Sequence, residues 1–522
     1  MHRPASSPMP DPVASGGAAR HARGLRTREM SVDDTTILAP PIRLRPGPFA
    51  RAAGAAAARD AGRVVLAAVV AFWFLLVIVT LPLHVVQDSW LALVSGREVA
   101  QHGLPRHDSL TVWTAGDRWI DQQWLGQLVY YGLARLGGMR AVLLVHALVL
   151  VSVVALGLRT ARALGASVPS VVLAGLAALT VAPWALQMRT QDLGELAFVV
   201  VLSLLALDAR KHSRRVFLVV PLLFVWANLH GSVVLGAGLV ALRALLLVRR
   251  QLPRALALFA AAVVSPLVSP YGFSLVGYYH RLLANPLLHS VINEWGPGAP
   301  SSRTAAFYVL AFATVWLIGR HGTRVTGFEQ LALLLTLVAG VTAIRNIVWF
   351  GLTALVLLPR LVDPLVGSLD FRRFRGFVRP LAALTLASIV ATAAYAASRP
   401  AGWYVREWPE AQSGQIAAAA GRTRSVFADD RYADWLLWTE PQLRGRVAYD
   451  VRFELFSPKQ LELLVGYRNR TGATWRAAAS RYALDVFDPT LQPDLEKRLR
   501  ATTHLAAVVR APRLVVLARP IR

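Results

Sequence analysis

From residue 64 to residue 397 the chain repeats one pattern: a long apolar run, then a short break carrying Arg, Pro, Gly or Asn. A helix needs roughly 20 apolar residues to cross a bilayer. On that scale the pattern predicts eleven spans, at 64–83, 139–158, 168–186, 193–207, 216–228, 232–248, 255–270, 304–319, 328–344, 347–362 and 380–397. The fourth and fifth are the shortest. Between the first two spans lies the longest break, 84–138, where helical apolar spacing at 90–99 and 124–136 predicts two helices along the membrane surface. After residue 399 the long runs stop. Strand-like segments at 425–428, 446–449, 484–487, 505–509 and 514–518 alternate there with helical ones at 431–438, 458–468 and 494–500, which predicts an α/β layer domain.

The expected fold is therefore an α-helical polytopic membrane protein of about eleven transmembrane helices with a C-terminal extracytoplasmic α/β domain. Its divisions are a disordered tail (1–63), a transmembrane domain (64–398) containing the large loop 84–138, and the outer domain (399–522). The tail is rich in Ala, Pro, Gly, Ser and Arg and has no sustained apolar period. The span at 64–83 lies too deep in the chain for a secretory signal, so it reads as retained.

Composition agrees with a membrane protein. The 522 residues are 55% hydrophobic and only 16% charged, against about 25% charged in soluble domains. A net charge of +26 would suit a nucleic-acid binder, but the arginines cluster at the ends of apolar runs, as lipid topology demands, so no nucleic-acid partner is expected. The tail holds ten arginines and is placed in the cytoplasm. Alternate loops then carry seventeen Lys and Arg inside against nine outside. An odd number of spans puts the C-terminal domain outside. The chain has no cysteine, which excludes disulfides and thiol chemistry, and no Gly-x-x-x-x-Gly-Lys-Ser/Thr loop, so no nucleotide cofactor is expected.

With that topology the unusual polar residues collect on the outer side. Asp88 lies just past the first span, where a carboxylate is costly unless it meets water, a cation or a partner. It reads either as a functional acid or as the N-cap of a helix beginning near Trp90. Asp108, after Pro105, reads either as a second acid or as a turn residue. Trp113, Trp119 and Trp124 suit an interfacial anchor. The other outer breaks carry Arg189 and Gln191, the run Asn228-Leu229-His230-Gly231, the run Pro270-Tyr271-Gly272, Glu294-Trp295 and Arg345-Asn346. In the outer domain Asp429, Asp430, Asp434 and Asp450 fall near strand ends, as caps or as ligand contacts.

The order Asp88-x-Trp90 to Gly96, Gly103-x-Pro105-x-x-Asp108, Thr111, Gly116 and Trp119 resembles the first-loop signature of the GT-C glycosyltransferase superfamily, to which oligosaccharyltransferases, protein mannosyltransferases and aminoarabinose transferases belong. The motifs at Asn228-x-His230-Gly231, Pro270-Tyr271-Gly272, Glu294-Trp295 and Arg345-Asn346 resemble those of a closer bacterial subgroup. Two positions depart from it: Thr190 stands where Pro is usual, and Gln123 where a polar His or Glu is frequent.

The resemblance implies a multi-pass protein of the bacterial cytoplasmic membrane that takes a sugar from a polyprenyl-phosphate carrier and passes it to a glycan, lipid or protein acceptor outside. It implies Asp88 and Asp108 as catalytic carboxylates or as ligands of a divalent Mg or Mn ion. Arg189, His230, Glu294, Arg345 and Asn346 would line the substrate site, an arginine meeting the lipid phosphate. The rival reading is a non-catalytic scaffold or transporter of an envelope glycan or lipid.

Overall fold

The computed structural model describes residues 48–177, 180–285, 287–288, 292–366, 375–470, 475–502 and 505–520. Each of the eleven apolar runs falls on a helix. The first lies in α1 (Pro48–Thr80), which begins inside the stretch expected to be a disordered tail. Ala52 to Ala61 are mostly alanine, the strongest helix former, so the helix extends backward from the apolar run; residues 1–47 lie outside the described part. Next come α2 (Gln87–His102) and α3 (Trp124–Ala163). Within α3 the helix breaks at Gly137 and Gly138, the latter at φ 62°, so the expected surface helix and the second span form two arms of one bent element.

Beyond α3 run α4 (Val168–Ala177), α5 (Gln191–Arg210), α6 (Val219–Leu229), α7 (Val233–Leu247), α8 (Leu252–Val264) and α9 (Ser274–Ala284). The helices Ala305–His321, Gly327–Thr342, Ile347–Leu357, Pro359–Val366 and Arg375–Ser398 complete the apolar part.

Eleven membrane crossings are more than length and composition support. Among the described residues four helical segments are long and apolar enough to cross: Asp60–His84, Trp124–Ala163, Ala305–Arg324 and Gly376–Ser398. Ile344–Leu357 and Pro359–Val366, bent by 56°, make a fifth if taken as one span. The others are shorter, or, like α5 with Asp192, Glu195 and Asp208, carry too many charges. The two aspartates are partnered inside the protein, while Glu195 accepts from Gln191 Nε2 at 3.1 Å. His146 Nδ1 lies 2.6 Å from Asp192 Oδ2, and the Tyr130 hydroxyl donates to Asp192 Oδ1 at 2.5 Å. At the other end of α5, Asp208 meets Arg243 at 2.9 Å and also Arg254. Burial of such groups is tolerable only with partners of this kind.

The C-terminal part carries a four-stranded sheet. Strands β1 (Val426–Ala428), β2 (Leu484–Phe487), β3 (Ala506–Ala511) and β4 (Leu514–Ala518) lie in the order β1-β2-β4-β3. β1 and β2 are parallel, and the other pairs antiparallel. Four of the five expected strands are present. The fifth, 446–449, makes isolated parallel bridges instead, Val447 pairing with Val426 of β1 on one side and with Thr111 of the first loop on the other. The N–H groups of Val112 and Trp113 donate to the carbonyls of Val447 and Ala448, both at 2.9 Å. The first loop thus extends the sheet beyond β1.

Candidate functional site

The loop before α2 determines where Asp88 stands. Ser89 Oγ accepts from the Val86 N–H at 3.0 Å and donates to the Met188 carbonyl at 2.6 Å, while the Met188 N–H donates to the His84 carbonyl at 2.9 Å. The helix is capped through Ser89, so Asp88 is not the N-cap; it sits in the first turn, where a carboxylate complements the helix dipole. Pinning Met188 on both sides also delivers Arg189 to Asp88. Arg189 Nε lies 2.9 Å from Asp88 Oδ2, and its two terminal nitrogens donate to both oxygens of Glu294 at 2.8 and 3.0 Å. The three groups form a carboxylate–guanidinium–carboxylate row with both acids about one-third exposed.

The turn carrying Glu294 is joined to the turn carrying Arg345 through the backbone. The Ile344 N–H donates to the Gly296 carbonyl and the Gly298 N–H to the Val341 carbonyl, both at 3.1 Å, which joins the Asn293–Trp295 turn to the Ile344–Asn346 turn. The Arg345 guanidinium stacks 4.1 Å over the Trp295 ring. Among the described residues no carboxylate lies within ion-pair distance of it. Asn346 ends the same turn.

His230 is buried between α6 and α7. The Ser232 N–H donates to its Nδ1 at 3.1 Å, so Nδ1 carries no proton and a neutral ring keeps its hydrogen on Nε2. Burial, then the charges of Arg345 and Arg189, push its pKa down to about 3. Burial raises the Asp88 carboxyl above its ordinary value, against the opposing pull of Arg189. Glu294 moves the other way: burial would raise it, but Arg189 holds it low. Asp88, Arg189, His230, Glu294 and Arg345 therefore act on one another electrostatically although five separate segments supply them.

Asp108 is not among them. It is buried and both its oxygens are used: it accepts from the Leu110 N–H at 3.0 Å, from the hydroxyls of Thr111 and Thr114 at 3.0 and 2.6 Å, and from Arg452 at 2.7 Å. Burial alone would raise its pKa; Arg452 and these donors hold it low instead. The turn-residue reading fits this environment. The expected pairing of Asp88 and Asp108 around a divalent metal does not fit. The two Asp108 oxygens already accept from four donors, and among the described residues no group of three or more His, Asp or Glu side chains is placed to hold an ion.

Sequence reasoning overlooked Arg452. Its guanidinium also pairs with Asp450 at 2.5 Å and lies 4.2 Å over Trp119. Two further acids, Asp121 and Glu454, were also missed, and burial raises each to about 7. The charged run Asp450-x-Arg452-x-Glu454 at a strand end was the available signal. The two departures from the subgroup pattern are bonded together: Thr190 Oγ1 donates to Gln123 Oε1 at 2.6 Å. Beside them Trp124 Nε1 donates to Asn228 Oδ1 at 2.9 Å. Gly96 is required for packing, since a Cβ there would overlap the Gln127 carbonyl of α3.

No family profile and no curated protein sequence matches this chain. Solved structures similar to it include ArnT from Cupriavidus metallidurans bound to undecaprenyl phosphate, at 16% identity and a TM-score of 0.49, covering 88% of this chain and 98% of that one. The apo state of the same protein gives 17% and 0.46, over 83% and 94%. The apo oligosaccharyltransferase of Archaeoglobus fulgidus gives 12% and 0.46, over 81% and 69%.

Proposed function

We propose that the chain transfers a sugar from a polyprenyl-phosphate carrier to a hydroxyl-bearing acceptor of the cell envelope, on the outer face of the bacterial cytoplasmic membrane. The observation that carries this reading is the convergence of Asp88, Arg189 and Glu294 with Arg345 and His230. The donor class comes from the motif resemblance, and the topology from the distribution of arginines. In this arrangement the tail (1–63) is cytoplasmic, residues 64–398 form the membrane domain, and residues 399–522 lie outside.

Asp88 is the base. It is partly exposed, its raised pKa makes it a better proton acceptor, and Arg189 fixes its direction. It takes the acceptor's hydroxyl proton as that oxygen forms a bond to the sugar's anomeric carbon. The bond from that carbon to the phosphate oxygen breaks, and the carrier phosphate leaves with the electron pair and one more negative charge. Arg345, stacked on Trp295 and with no carboxylate within ion-pair distance among the described residues, is the cation for that charge. Glu294 neutralises and orients Arg189. Neutral His230 can donate from Nε2 to a sugar or phosphate oxygen. Asp108 has no part in the chemistry, and no step is assigned to a metal.

The test is transfer of radiolabelled sugar from a polyprenyl-phosphate donor by the full chain in proteoliposomes. Asp88→Asn should abolish transfer while Asp108→Asn, if folded, retains it. Wild-type turnover by Asp88→Asn overturns the assignment of the base. A wild-type protein inert toward polyprenyl-phosphate sugars overturns the enzyme reading in favour of a scaffold or transporter.

A further inference from the structure

The first-loop hairpin has two sides. One is occupied by Asp108 and its bonds to Thr111, Thr114 and Arg452. The other presents Arg106, His107 and Arg118 around a cavity of about 210 Å³ closed by Trp119, Tyr271 and Ser274. Backbone pairing sets this arrangement: His107 bridges Arg118 in antiparallel fashion, and the Trp119 N–H donates to the Arg106 carbonyl at 2.9 Å. The Tyr271 hydroxyl donates to the Pro105 carbonyl at 2.9 Å and Arg118 to Ser274 Oγ at 2.6 Å, which fastens the hairpin to the start of α9. Among the described residues no carboxylate lines the cavity and neither guanidinium has an ion-pair partner. Two arginines and an imidazole without a counter-charge attract an anion, and paired guanidinium donors suit phosphate oxygens.

Beside this cavity lies an open groove of about 520 Å³, walled mainly by Trp124, Leu125, Phe224, Val225, Leu267 and Val268. Pro270 lines both. The chief polar side chain of the groove, Asn228, is already engaged: its amide nitrogen donates to the carbonyls of Phe224 and Val268, and its oxygen accepts from Trp124. The groove therefore offers an apolar wall, suited to hydrocarbon. We propose that the cavity and the groove together form one site for an anionic glycerophospholipid, the phosphate between Arg106 and Arg118 and an acyl chain along Phe224, Val225 and Leu267. Asp88, Arg189, Glu294 and Arg345 line neither compartment. The site is thus separate from the proposed catalytic cluster and does not depend on that cluster's being active.

The experiment is native mass spectrometry of the full chain released from nanodiscs containing phosphatidylglycerol and phosphatidylcholine. Wild type should retain phosphatidylglycerol preferentially. Replacing both arginines (R106Q and R118Q together) should lower that retention roughly tenfold, as loss of two charge-assisted contacts implies. Val225→Trp, which fills the groove, should lower it as well. Equal retention of the two lipids, or unchanged retention in the double variant, overturns the proposal. Competition by inorganic phosphate as effective as that by soluble short-chain phosphatidylglycerol would mean a free-anion site, and overturns the role of the groove. Should the double variant not fold, raising the salt concentration on wild type decides the matter: retention insensitive to salt overturns the electrostatic half.

Discussion

Arg452 donates to Asp108 across 344 positions of chain, at 2.7 Å, and the same guanidinium is bonded to Asp450 at 2.5 Å. One cation thus fastens the first-loop hairpin to the C-terminal part. Removing it leaves two buried carboxylates without their charge partner, a change that costs about 3–5 kcal/mol. Arg452→Met should lower the unfolding temperature of the purified protein markedly, and adding Asp108→Asn and Asp450→Asn should recover part of the loss. Unchanged thermal unfolding in Arg452→Met would show that the pair is not a fastener.

Arg345 should act on the lipid-phosphate donor rather than on the acceptor. Arg345→Gln is expected to slow transfer by roughly 100-fold, the size of effect typical of removing a donor to developing charge. Arg345→Lys should restore only part, because an ammonium lacks the paired donors and the flat face that lies on Trp295. Steady-state kinetics with donor and acceptor varied separately would measure this. A defect confined to the acceptor KM would count against the assignment.

His230 sets a pH limit on stability. Its folded pKa is about 3, below the ordinary value of about 6.5. The unfolded chain therefore binds a proton that the folded chain refuses. The resulting stability is complete above pH about 6.5 and is lost as the pH falls toward 3, at about 1.4 kcal/mol per pH unit. His230→Gln should flatten that slope. Unfolding temperatures at neutral and mildly acidic pH, compared between wild type and variant, test it; parallel curves would contradict a buried neutral imidazole.

Thr190 and Gln123 should be energetically coupled through their 2.6 Å hydrogen bond. A double-mutant cycle with Thr190→Val and Gln123→Ala is expected to give a coupling of about 0.5–1.5 kcal/mol. Additive effects would mean the bond contributes nothing.

Much of the fold was legible because apolar periodicity is local: every apolar run became a helix, and four of five strand-like segments became strands. Crossing number was less legible, since a run such as 168–186 contains Pro183 and ends its helix at Ala177. Charges inside a helix likewise have partners that no local pattern names, as with Asp192 and His146. The candidate site divides in the same way. Asp88, Arg189, His230, Glu294 and Arg345 stood out as polar groups at one set of helix ends. What separated Asp108 from them was Arg452, far away in sequence and unremarkable in its own neighbourhood.

The bridge between Thr111 and Val447 has a consequence for biosynthesis. The edge of the C-terminal sheet is finished by a segment made early, so the last-made part cannot complete its sheet alone and must find a partner that has been waiting since the first hairpin emerged. Pairings this distant in sequence are slow to close and leave an open strand edge meanwhile. A truncated chain lacking the first loop would be expected to aggregate through that edge.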